Sequence, residues 1–168
     1  MTRIRLITAT STHLTAFLRD PQELASLLGS ALPGGWPEFP EAIPNTLDEL
    51  EKNPDDADWW MHIFVDADTG DLVGSGGFAG RPKDRCVEVG YEIAPSLRRR
   101  GYATAAANAL IAKALASGEV ESVIAHTLAS DDRSAGVLRA TGFAEVARVT
   151  HPDDGELVRW RRGLRRTL

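Results

Sequence analysis

The sequence predicts an α+β fold with a mainly antiparallel sheet flanked by helices, in the order β-α-α-β-β-β-α-β-α-β-β. Two observations carry that reading. Short β-branched runs come in pairs around Asp66–Asp71 and Pro152–Gly155, which have the composition of hairpin turns. Between these pairs, Val87 to Leu115 reads as strand, glycine turn and alanine-rich helix without a break. At 168 residues, with 43% hydrophobic and 26% charged content, the chain has the make-up of one globular domain spanning 1–168. It shows no internal repeat and no linker.

Arg3–Ala9 alternates as a first strand, and Thr12–Arg19 suits a short helix. A second helix starts with Asp20 as N-cap and Pro21 at the first helical position, and stops at Gly29. Leu32–Asn45 carries Pro33, Pro37, Pro40 and Pro44 and is therefore irregular. Trp36 and Phe39 stand inside it, either pinned against the core or walling a substrate pocket. Thr46-Leu47-Asp48-Glu49 has the form of a capping box for another short helix, broken by Pro54. Asp55, Asp56 and Asp58 fit a solvated loop better than a funnel for cationic substrates. Trp59–Val65 and Leu72–Phe78 read as strands, and His62 in the first reads as a packed or surface histidine. Gly74, Gly76 and Gly77 in the second imply that something approaches its backbone closely.

Cys86–Ile93 is the next strand, and the helix after it repeats Ala103, Ala106, Ala107, Leu110 and Ala114 before Gly118. Val120–Leu128 follows as a strand. Asp131–Thr141 is then a helix ended by Gly142, and Phe143–Thr150 with Glu156–Arg162 closes the chain as a hairpin. Arg161, Arg162, Arg165 and Arg166 read as a solvated tail.

The turn Arg98-Arg99-Arg100-Gly101-Tyr102-Ala103-Thr104 runs into a helix N-terminus, where unpaired N–H groups and the helix dipole favour phosphate. Three cations there oppose the dipole by ~0.3–1 kcal/mol each, which makes sense if an anion binds. The pattern is neither a dinucleotide fingerprint nor a P-loop. Arg98-x-x-Gly101-x-Ala103 resembles motif A of the GNAT superfamily, the acyl-CoA-dependent N-acyltransferases. The likeness extends to Val87-Glu88-Val89-Gly90-Tyr91 before it and to Asp131-x-x-Ser134-x-x-x-Leu138-x-x-x-Gly142-Phe143 after it. It covers Leu72 to Phe143 well, and leans toward ribosomal-protein and other terminal-amine acetyltransferases.

The resemblance implies a twisted mixed sheet splayed between its fourth and fifth strands, with acetyl-CoA in the cleft. It implies that Arg98, Arg99, Arg100, Gly101, Tyr102, Ala103 and Thr104 hold the pyrophosphate, and that backbone near Ile93 and Ala94 holds the pantetheine and polarises the thioester. Gly90 is the bulge that would open the strand. Glu88 occupies the position of a frequent family catalytic glutamate, although a strand glutamate is otherwise a solvent-face residue. Glu92 shares its face as a second cleft carboxylate or an arginine partner. His126 on the neighbouring strand is the rival base, its plainer reading being structural. Where the family often has a tyrosine acid, this chain has Leu138. Ser134 is the nearest replacement, suited to hydrogen-bonding the pantetheine or thiol. Asp131 stands where asparagine is usual, so it accepts but cannot donate. Trp36 and the Trp59-Trp60 pair are the expected acceptor-side aromatics.

The net charge of −5 argues against nucleic acid as the main partner. One cysteine, Cys86, rules out an internal disulfide and offers no metal cluster. With no apolar h-region or membrane span, the expectation is a cytoplasmic protein that needs no metal and works off the membrane. The leading reading is an N-acetyltransferase acting by direct attack in a ternary complex, on a small-molecule amine or a protein N-terminus. The alternative is a catalytically silent acyl-CoA-binding or partner-recruiting module of the same fold. A homodimer is left open.

Overall fold

A computed structural model describes residues 2–164. Seven strands alternate with five α-helices: β1 (Ile4–Thr8), α1 (Ser11–Arg19), α2 (Pro21–Leu28), α3 (Ala42–Lys52), β2 (Met61–Asp66), β3 (Leu72–Phe78), β4 (Cys86–Ile93), α4 (Tyr102–Ala116), β5 (Ser122–Leu128), α5 (Asp132–Ala140), β6 (Ala144–His151) and β7 (Gly155–Gly163). Short 3-10 turns occupy Pro54–Trp59 and Pro95–Leu97.

Local chemistry accounts for most boundaries. Asp20 caps α2 by accepting the Gln22 N–H at 2.9 Å, with Pro21 at the first helical position and Gly29 in the left-handed region at φ 65°. The capping box expected at Thr46 is absent. Helix α3 begins earlier, at Ala42, with no side-chain cap, and Thr46 is buried within it. Pro44 is tolerated because first-turn N–H groups have no intrahelical partner to lose. This third α-helix is the short one expected between α2 and Pro54, four residues longer at its start, and it adds one helix to the two counted there in the written order. The strand expected from Trp59 begins at Met61, because Trp59 lies in the 3-10 turn. Asp66 fastens the β2–β3 turn by accepting the N–H groups of Asp68 and Thr69.

The sheet order is β1-β2-β3-β4-β5-β7-β6. Every pairing is antiparallel except β4 with β5, which is parallel and limited to Cys86–Ser122, Val87–Val123 and Glu88–Ile124. Past Glu88, β4 follows β3 as far as Ile93, while β5 follows β7 as far as Leu128. A cleft opens between them. Gly90 is not a bulge: its ladder with Gly77 is in register, and the opening comes from the lost β5 pairing. The close approach expected at the β3 glycines is made by neighbouring strands. A Cβ on Gly74 would strike the Glu92 carbonyl, and one on Gly77 the Trp60 carbonyl.

Apolar side chains divide into two cores on opposite sides of the sheet. One holds Phe64, Val87, Val89, Ala106, Leu110, Val123 and Trp160; the other holds Leu14, Leu24, Trp36, Ile43, Leu50 and Ile63 under α1–α3. Each fully buried Leu, Ile or Phe contributes ~1.5–3 kcal/mol, which fixes the sheet against both helical layers. Arg161 and Arg162 belong to β7 and not to a tail, and Arg162 donates to the Thr141 carbonyl at 2.8 Å. Arg165 and Arg166 lie outside the described residues. Among the described residues, no helix is long and apolar enough to cross a membrane.

Candidate active site

Two cavities flank the free half of β4. The first, of about 590 Å³, fills the opening between β4 and β5 and reaches the N-termini of α4 and α5. Ile93, Arg98, Arg99, Gly101, Tyr102, Ala103 and Thr104 line one wall, and Leu128, Asp131, Ser134 and Val137 the other. Gly101 is the N-cap of α4 at φ 85°, and no side chain caps the helix. The first-turn N–H groups are thus left to an anion, and the residues present fit a pyrophosphate.

The arginines divide their duties. Arg98 reaches back to Glu38, its Nη2 lying 2.6 Å from Oε2. Arg99 lines the cleft and takes φ 63°, which bends the turn. Arg100 lines neither cavity, and its carbonyl instead accepts the Thr2 hydroxyl at 2.8 Å. Ala94, expected beside the pantetheine, is 1% exposed and gives its N–H to the Val73 carbonyl at 2.9 Å. It packs in the second core and does not line the cleft.

Asp131 is the N-cap of α5, accepting the Ser134 N–H at 3.0 Å and the Ser134 hydroxyl at 2.7 Å. Burial pushes the Asp131 carboxyl up, but these two bonds, with the charge and backbone N–H of Arg133, more than offset it and leave it below its ordinary value. The hydroxyl proton of Ser134 is therefore committed to Asp131, and the serine faces a ligand as an acceptor. The sequence reading missed Tyr91, which it counted only as a strand residue. Tyr91 lines both cavities, and burial, with the Asp131 charge second, raises its phenol well above the ordinary value. It stays an O–H donor. Its Gly90-Tyr91 pair, at the step where β4 leaves β5, was the available signal.

The second cavity, of about 640 Å³, lies between α3 and the β3–β4 face. Asp48, Glu49, Glu88 and Glu92 line it against a single cation, Lys52, and Phe39 and Trp60 add aromatic surface. Phe39, Tyr91 and Glu92 line both cavities and mark where they meet. Glu92 is not an open substrate carboxylate, because it accepts the Glu38 N–H at 2.7 Å and the Phe39 N–H at 3.2 Å. It clamps the loop that separates the cavities.

Two of the expected acceptor-side tryptophans are elsewhere. Trp36 is 7% exposed, packs edge-on to Phe17 and donates its indole N–H to Ser75 Oγ at 2.9 Å. Trp59 is 8% exposed and packs on Phe78 in the first core. Neither of these two lines a cavity, whereas Trp60, the other member of the expected Trp59-Trp60 pair, does. The acidic turn is likewise spoken for: Asp56 pairs with Arg81, and Asp58 with Lys113.

Glu88 lines the acidic groove, its Oε2 lying 3.0 Å from His126 Nδ1. The two rival bases are thus in contact. His126 lines neither of these two cavities. Among the described residues, no group of three or more His, Cys, Asp or Glu is placed to hold a metal.

Comparison with known proteins bears on this geometry. The family model described as the acetyltransferase (GNAT) domain matches residues 3–144. The Bacillus subtilis (strain 168) protein named uncharacterized N-acetyltransferase YjdG is 33% identical over 144 residues, covering 84% of this chain and 86% of its own. A chimera of the Vibrio cholerae spermidine N-acetyltransferase SpeG with hSSAT superposes with a TM-score of 0.71 at 15% identity, covering 96% of this chain and 95% of that one. RimL, a ribosomal L7/L12 alpha-N-protein acetyltransferase solved with coenzyme A, gives a TM-score of 0.69 at 16% identity, covering 98% and 96%. Family membership implies acetyl-CoA as donor, and an anion-ready helix terminus in a split sheet suits it. With the model spanning most of the chain and a 33% identical relative beside it, this protein belongs to the GNAT family and is an acetyltransferase.

Proposed function

We propose that this enzyme moves the acetyl group of acetyl-CoA onto a primary amine of a cationic acceptor, by direct attack with both substrates bound. The observation that carries the proposal is the meeting of the two cavities at Phe39, Tyr91 and Glu92. An acyl group held in the cleft and an amine held in the groove would come together there.

Bound acetyl-CoA supplies an activated acyl carbonyl; the rest falls to the chain. The α4 N-terminus and Arg99 bind the phosphates, and Ile93 with Ser134 flanks the arm leading to the junction. With Glu49 paired to Lys52 and Glu92 held by the loop, Asp48 and Glu88 are the groove carboxylates that attract an ammonium, and Trp60 offers a cation–π face. Glu88 takes the ammonium proton, directly or through a water. At neutral pH an alkyl ammonium is free amine to only about one part in a thousand and a peptide N-terminus to about one part in ten, and a positioned base is worth ~10²–10⁴-fold. The Tyr91 hydroxyl donates to the departing sulfur, a duty for which the sequence offers no tyrosine at Leu138.

Polyamines and peptide N-termini both satisfy an acidic groove, as the names of the SpeG chimera and RimL illustrate for those proteins. A panel of both classes, read by release of the CoA thiol, tests the proposal. The expected result is turnover with at least one cationic amine, falling ~10²–10⁴-fold in Glu88→Gln at unchanged CoA affinity. CoA binding without turnover on any amine would instead favour the silent binding module.

A further inference from the structure

The parallel ladder between β4 and β5 ends at Glu88–Ile124, so β5 residues beyond that pair have no backbone partner on β4. His126 is two residues past this point and crosses the gap with its side chain. Its Nδ1 lies 3.0 Å from Glu88 Oε2, and its Nε2 receives the Arg159 Nε–H at 3.1 Å. Arg159 stands opposite His126 on β7, so the three residues form a row across three adjacent strands on one face. The His126 side chain is 20% exposed, whereas Glu88 keeps 41% of its own exposed toward the groove.

We infer that Arg159 and His126 are positioning residues that hold Glu88 as the base, which rests on the reading of Glu88 given above. Arginine is a donor and never an acceptor. A donor aimed at Nε2 requires a lone pair there, which an imidazolium does not have. Arg159 therefore selects the neutral ring with its proton on Nδ1, and that proton can only be given to Glu88 Oε2. This fixes one carboxylate oxygen and leaves Oε1 to meet the acceptor. Both nitrogens of His126 are engaged, so the histidine is removed as a rival base. In the reaction the ammonium gives one proton to Oε1, the freed amine nitrogen bonds the acetyl carbon, the carbon–sulfur bond breaks with its electron pair on sulfur, and the second nitrogen proton ends on that sulfur as the CoA thiol. His126 and Arg159 exchange no proton.

Nitrogen-15 NMR of histidine-labelled protein reads the tautomer without any acceptor. The parent should show His126 with Nδ1 protonated and a hydrogen-bonded lone pair on Nε2, and Arg159→Met should shift the Nε2 resonance toward that of an unbonded lone pair while Glu88 keeps the proton on Nδ1. With an acceptor from the panel, kcat in Arg159→Met should fall roughly 10–100-fold, the scale of a displaced catalytic group. CoA affinity and melting temperature should hold, and Arg159→Lys, which keeps a donor, should recover most of the rate. An unchanged Nε2 resonance in Arg159→Met overturns the inference. So does an unchanged kcat there while Glu88→Gln is crippled, which leaves the base itself standing. An active Glu88→Gln overturns the base reading instead, and the Nε2 resonance then reports Arg159 and His126 alone.

Discussion

Lys113 Nζ lies 2.7 Å from His62 Nε2, although His62 is fully buried. The other ring nitrogen donates to the Trp60 carbonyl at 3.1 Å, so the ring is neutral and accepts from the ammonium. Burial, and then the Lys113 charge, lower His62 to about 4. A base depressed in the native state contributes stability that is complete above its ordinary value of ~6.5 and is lost as pH falls toward 4. The loss is on the order of 3 kcal/mol across that window. Melting temperature against pH should drop between 6.5 and 4 in the parent and flatten in His62→Gln. Equal slopes would mean that the pair does not govern acid stability.

Gly101→Val should weaken both the fold and the cofactor site through the backbone. A Cβ there would find only ordinary contact with Thr2, at 3.5 Å, so crowding is not the obstacle. The obstacle is φ 85°, which costs a side-chain-bearing residue ~1–2 kcal/mol and more when it is β-branched. Relieving it turns the first N–H groups of α4 away from the cleft. Calorimetry should show CoA affinity reduced at least tenfold, about the worth of one charge-assisted hydrogen bond. Full affinity in a folded variant would remove the α4 terminus from the site.

Trp36 in the core and Trp60 at the groove should separate cleanly. Trp36→Ala empties a core position and strands the Ser75 hydroxyl, at ~3–5 kcal/mol, with kinetic constants intact in the folded fraction. Trp60→Ala should leave the melting temperature nearly unmoved and raise the acceptor KM several-fold at unchanged CoA affinity. The reverse pattern would place the acceptor at Trp36.

Glu92 holds the loop that carries Phe39 to the border of both cavities. Burial raises its carboxyl above the ordinary value, with Glu38 and Glu41 adding to it, and the two backbone N–H groups only partly offset this. An elevated acid is most favourable to the fold at low pH, and its contribution is lost as pH rises through the native value. Glu92→Ala should cost ~1–3 kcal/mol from the abandoned N–H groups and raise KM for amine and acetyl-CoA together. A change in only one KM would show that the loop serves a single cavity.

Much of this was legible in sequence because it is written in local chemistry. Asp20 and Pro21 start α2, and Asp66–Asp71 turns the hairpin. Gly101 sits where a left-handed N-cap is needed, and Arg98-x-x-Gly101-x-Ala103 points to the family. What escaped depends on tertiary direction. The bulk of Trp36 and Trp59 marks them as important but does not say which way they face, and both face a core. Thr46 had a capping pattern, yet helix α3 overran it because its apolar stripe starts at Ile43. Glu88 and His126 were weighed as rivals because no local signal shows that a ladder ending at Ile124 brings them into contact.

Since Phe39, Tyr91 and Glu92 belong to both cavities, the two chambers share one doorway. A single molecule joining an amine to CoA through a two-carbon bridge could thread it and occupy both at once. The second half of such a conjugate binds at an effective concentration near millimolar or higher, without needing any new contact. Linker length then becomes a ruler for the passage beside Tyr91, and the amine end a bait for sorting acceptors by tightness of inhibition.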